Sequence, residues 1–135
     1  MANDVTLTQP DLIDRLRNNL PSGYTDATFK KPNAPFKTPT DTKWLRGNVL
    51  FNETENVTPD NYQRIFGLFI VDIFFPKGQG DKAQLADAKE IQQLFNNKDF
   101  GNTRTWAASI VNGIEEESWF KLQVSIEFFM EGTLA

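Results

Sequence analysis

Few residues of this chain have the type and spacing for chemistry, and each has a plainer role beside it. Gly78-Gln79-Gly80-Asp81-Lys82-Ala83 fits G-x-G-x-x-A, follows an apolar run and opens a helical pattern, and Asp99 lies about 20 residues on. In a dinucleotide site such glycines let the backbone approach a pyrophosphate at a free helix N-terminus. Asp81 would put negative charge at that N-terminus, and Asp99 follows no second apolar strand. A strand-to-helix turn is the better reading; a small-molecule or nucleotide-binding module at Gly78–Gly80 is the competing one. Asp72 interrupts an apolar strand. With no second carboxylate at a readable spacing, pairing with Arg46 or Arg64, or a subunit contact, is favoured over acid catalysis. Glu115, Glu116 and Glu117 cannot all point one way in a strand or turn, so they read as solvated charge rather than cation ligands. Lys30-Lys31 is too small for a nucleic-acid patch. Asn52-Glu53-Thr54 and Asn56-Val57-Thr58 match the glycosylation acceptor in a chain whose start, with Asp4, does not read as a secretory signal.

Composition removes whole reaction classes. The 135 residues include no cysteine and no histidine, so thiolate nucleophiles, histidine bases and Cys/His metal sites are excluded. Fourteen Lys and Arg against eighteen Asp and Glu give a net charge of −4, which argues against affinity for nucleic acid or anionic membranes. No apolar run approaches the roughly 18–20 residues of a membrane span. The expectation is a non-enzymatic single domain over residues 1–135, without catalytic, cofactor or metal residues and without a membrane partner.

The elements that would position these residues are readable from periodicity. Thr8, Pro10 and Asp11 suit a helix start, and Leu12, Ile13, Leu16 and Leu20 form one stripe before Pro21 and Gly23. Residues 21–43 hold Pro32, Pro35 and Pro39, with Phe29 and Phe36 as large anchors. They read as a long extended arm, either a surface connection or a segment docking both rings into a neighbouring subunit. Trp44–Phe51 reads as a strand, 52–61 as an acidic hairpin tip, and Arg64–Phe75 as a strand apolar on both faces. Asp81 and Gln84 suggest a capping box for a second helix bearing Ala88, Ile91, Leu94 and Phe95, frayed by Asn96 and Asn97. A shorter strand at 104–111, a turn at Asn112-Gly113 and a last strand with Phe120, Leu122, Val124, Ile126 and Phe128 inward complete the order. The expected class is α+β: helix-strand-strand-helix-strand-strand, a mostly antiparallel sheet with two helices packed on it, plus the Pro-rich arm. Twelve Phe and three Trp imply an aromatic core or aromatic contacts between subunits.

One stretch carries more than periodicity. Trp44-Leu45-Arg46, an acidic turn ending Val57-Thr58, and Arg64-Ile65-Phe66-Gly67-Leu68-Phe69-Ile70-Val71-Asp72-Ile73-Phe74-Phe75-Pro76-Lys77-Gly78-Gln79-Gly80 precede a helix with Leu85, Ala86, Ala88 and Ile91 and a strand opening at Trp119. This order resembles the tailed-bacteriophage tail terminator-like family. The resemblance implies a virion structural protein, assembled in the host cytoplasm. It would form a homo-oligomeric ring, six-fold in the family, that caps the tail tube, ends polymerisation and offers a surface for head–tail joining. The implied partners are other copies of itself, the tail tube protein and a head-completion or connector protein, with DNA passing through the lumen without specific binding. A head–tail connector or adaptor subunit of the neck is the nearest alternative. Candidate interface residues are Phe29, Phe36, Trp44, Arg46, Arg64, Asp72 and Trp119. Candidate lumen acids are Glu53, Glu55, Asp60, Glu115, Glu116 and Glu117, whose charge would not hold passing phosphates.

Overall fold

The computed structural model describes residues 8–32, 34–57, 62–78, 82–100, 103–116 and 118–133. Helix α1 (Thr8–Arg17) leads to a helical turn at Asp26–Thr28, then to strands β1 (Phe29–Lys30), β2 (Trp44–Asn56) and β3 (Tyr62–Pro76). Helix α2 (Lys82–Phe95) follows, then β4 (Asp99–Phe100), β5 (Thr103–Glu116) and β6 (Trp119–Thr133). The strands form one sheet in the order β1-β2-β3-β6-β5-β4. β1 lies parallel to β2, and every other pair is antiparallel.

The expected α+β class is corrected by this architecture. The chain is mostly β, a curled half-barrel sheet with two short α-helices among the described residues. The excess of strand comes from polar segments that read as turns. β2 runs on through Asn52–Asn56, and a register shift between Phe51 and Thr54 absorbs the irregularity. β5 continues through Asn112-Gly113, again by a register shift rather than a turn. Backbone pairing with a neighbouring strand satisfies these polar residues as well as a turn would, and bulges add the twist that curls a sheet.

Alternation along the strands sets the two faces. Leu45 on β2, Phe69, Val71 and Ile73 on β3, and Leu122, Val124, Ile126 and Phe128 on β6 are buried on one face. Leu12, Ile13 and Leu16 of α1 and Ala88, Ile91 and Phe95 of α2 cover it and complete the core. Gly67 is needed where β2 bulges: a Cβ there would lie 2.4 Å from the Leu50 carbonyl oxygen and 2.6 Å from the Phe128 ring.

Two polar segments expected to mark helix ends bind the sheet instead. Gln84 is fully buried, and its Nε2 donates to the carbonyls of Ile73 and Phe120, each at 2.9 Å, joining α2 to β3 and β6. At the far end of α2, Asn97 takes a positive φ of 53°. Its N–H donates to the Trp106 carbonyl at 2.9 Å, and the Asn96 side-chain oxygen accepts from the Ala108 N–H at 2.9 Å. The asparagines read as fraying thus fasten the helix end to the outer edge of β5.

Candidate assembly surface

The face of the sheet turned away from the helices carries most of the residues singled out from sequence. Trp44 and Arg46 on β2, Arg64 and Asp72 on β3, and Trp119 on β6 share it, as the register shows. Trp44 stacks on Phe74 with ring centroids 4.0 Å apart and meets Trp119 edge-on at 6.0 Å. Phe36, from the arm, lies 5.4 Å from Trp44. Phe36, Trp44, Phe74 and Trp119 therefore form one aromatic cluster at one end of the face.

Beside it lies the ion pair anticipated for Asp72. This side chain is only 2% exposed, and its Oδ2 accepts from Arg46 Nε at 2.9 Å and Nη2 at 2.8 Å. The Arg46 guanidinium also sits 5.1 Å from the Phe74 ring. A buried carboxylate needs such compensation. Its other oxygen, Oδ1, is buried without a hydrogen-bond partner. Arg64 pairs elsewhere: its Nε donates to Glu131 at 2.8 Å, and Tyr62 also donates to Glu131. That guanidinium holds the Glu131 carboxyl below its ordinary value. Near this far end Phe66, Trp106 and Phe129 form a second aromatic cluster.

Phe29 does not belong to this surface. It is 1% exposed and packed in the core of its own subunit, held by the pairing of β1 with β2. The arm is anchored further by Tyr24, which donates to Asp87 at 2.8 Å; burial, then this hydrogen bond, raises its pKa far above the ordinary phenol value. Lys43 reaches the same carboxylate at 2.9 Å. Gly47 leaves room on the helix side of β2, where a Cβ would lie 3.3 Å from the Phe29 ring and equally close to Ile13 and Phe69.

The candidate lumen acids divide. Glu55 and Glu115 are exposed, on β2 and β5, and the register sets them at opposite ends of the sheet. Glu53 and Glu116 lie within β2 and β5. Asp60 and Glu117 lie outside the described residues, as do Gln79 and Gly80 of the glycine turn and the Asp81 that follows. Among the described residues no group of three or more acidic side chains is placed to hold a metal ion, and no helix is long and apolar enough to cross a membrane.

Sequence reading passed over a third feature. Leu50 and Phe51 on β2 and Trp106, Val111 and Ile114 on β5 are between 42% and 55% exposed. All five lie on the two outermost long strands. Their signal is in the alternation: Leu50 falls opposite the buried set within Trp44–Phe51, and of the five only Ile114 lies beyond the expected strand limits.

A family model described as phage tail terminator protein matches residues 11–128. The chain belongs to the phage tail terminator family. The match spans most of α1, all of α2 and almost all of the sheet. A solved structure shares the fold with a TM-score of 0.75 at 18% identity, covering 98% of this chain and 99% of that one. No curated protein matches the chain. Membership gives the protein a structural role related to phage tails, in a family that is not enzymatic.

Proposed function

We infer that this tail terminator works as a closed ring, six-fold as the family resemblance implies, seated on the last ring of the tail tube. There it ends tube polymerisation and presents its opposite side to a head-completion or connector protein. The observation that carries this reading is the placement of large apolar side chains on the outermost long strands of a subunit whose core is already full. Monomeric proteins rarely keep several such side chains close together in water, and head-to-tail contacts through two different surfaces generate rings. The acidic balance of the chain suits a lumen that DNA crosses without phosphate contacts, with Glu53, Glu55, Asp60 and Glu115–Glu117 as candidate wall residues. Trp44, Arg46, Asp72 and Trp119, with Phe36 above them, are kept as the candidate contact with an adjacent ring, and Arg64 as a candidate at the other end of the face.

Particle imaging tests the reading. A ring of this protein at the head-proximal end of the tube, with a net acidic inner wall, is expected. Density for it on the tail shaft, at the distal tip or within the head would overturn the assignment.

A further inference from the structure

We propose that the outer edge of β2 in one subunit pairs antiparallel with the outer edge of β5 in a second copy of this chain, with Phe51 seated in a pocket beside Gly113 of that copy. The proposal rests on the ring reading and names the surface that makes it.

Both edges are unfinished. β1 covers β2 only at Leu45 and Arg46, so Gly47–Asn56 have no partner strand on that side among the described residues. β4 covers β5 only at Thr103 and Arg104, and the end of α2 fastens the edge through Ala108. From Ser109 to Glu116 the edge has no partner strand among the described residues. An unpaired edge of this length is a template for another strand. Leu50, Phe51, Val111 and Ile114 sit on these open stretches.

The sense and stagger of the two edges suit a second copy. β2, β3, β6 and β5 alternate in direction, so β2 and β5 run oppositely. A copy rotated about an axis along the strands keeps its direction and presents β5 antiparallel to β2. Through the ladders Gly47 is level with Val71, Val124 and Ile110, so the open stretch of β2 runs one way from that level and that of β5 the other. The edges overlap only if neighbours step along the strands. Closed sheets step in this way: at a tilt of about 35–45° and a spacing of about 4.8 Å, four strands advance about four to six residues. A step of about six residues sets Leu50 opposite Ile114 of the next copy and Phe51 opposite its Gly113.

A pocket lies where the Phe51 ring would enter. Gln84, Leu85, Ile110, Gly113, Phe120 and Leu122 line a cavity of about 260 Å³ on the helix side of the sheet, the side toward which Phe51 points. A dry cavity of about 150 Å³ already accepts a benzene ring. A Cβ on Gly113 would run into the Phe120 ring, so glycine at this position makes room for that ring, which forms one wall of the pocket that Phe51 would enter.

The chain has no cysteine, which makes disulfide trapping specific. Within one subunit β2 and β5 are three strand spacings apart, about 14 Å, too far for a disulfide. The variant with Leu50→Cys and Ile114→Cys together, oxidised as concentrated protein and on assembled tails, is expected to give a reducible ladder ending at the closed ring. Either single variant should give none beyond a dimer. Phe51→Arg, with its circular dichroism unchanged, should weaken self-association by tenfold or more. A ring seen on tails with no ladder from the double variant would overturn this contact and leave the capping role standing. Absence of the protein from tails together with monomer at every concentration would overturn both.

Discussion

Asp72 illustrates how a single residue is fixed by its surroundings. A carboxylate 2% exposed on the sheet face persists because Arg46 gives it two hydrogen bonds. Removing one partner of such a pair leaves a buried charge, so Arg46→Ala should cost about 3 kcal/mol in urea unfolding, at the low end for buried pairs because Arg46 itself is partly exposed. Phe29→Ala should cost about 3–5 kcal/mol, as a large truncation in a packed core does. Phe36→Ala should cost less, because Phe36 covers Trp44 from a half-exposed position. If Phe29→Ala leaves the unfolding midpoint unchanged, its ring contributes nothing to the core. The Arg64–Glu131 pair gives a pH effect. The guanidinium lowers the Glu131 pKa from 4.5, so the stabilisation is present above that value and is lost as pH falls through the lower folded value. Arg64→Met should therefore flatten the acid-side fall in stability, read as unfolding midpoint against pH.

At the scale of elements, Gln84 joins a helix to the sheet. Its amide nitrogen serves two carbonyls from different strands, so Gln84→Leu should cost about 1–3 kcal/mol by removing both hydrogen bonds. An unchanged midpoint would show that the two bonds add no net stability. Such contacts also mark where sequence stops being legible. The inward set on β6 could be read directly, because a strand with one buried face alternates. The extent of β2 and β5 could not, because Asn52–Asn56 and Asn112-Gly113 have turn chemistry and yet pair through bulges. The same misreading shifted the class from mostly β to α+β. Gln84 and the Asn96-Asn97 pair have the composition of helix caps, and only the approach of the sheet turns them into tertiary contacts. For the candidate surface, the pairing of Asp72 with an arginine followed from the cost of burying charge, whereas the choice of Arg46 over Arg64 needed the register. Phe29 and Phe36 look alike in sequence, and the two-residue pairing of β1 separates a core ring from a covering one.

For the whole molecule, the core is closed on one side of the sheet and apolar side chains are left on its outer strands, as the proposed ring requires. Leu50 and Phe51 at one margin and Val111 and Ile114 at the other give it two unlike surfaces, which is the requirement for a head-to-tail ring. The central claim is that this ring stops the tube. Tail length is its most direct measure: with the protein absent, electron micrographs should show tubes extended beyond the normal length and lacking heads. Restored protein should return a narrow length distribution and joined particles. Tubes of normal length in the absence of the protein would contradict the account.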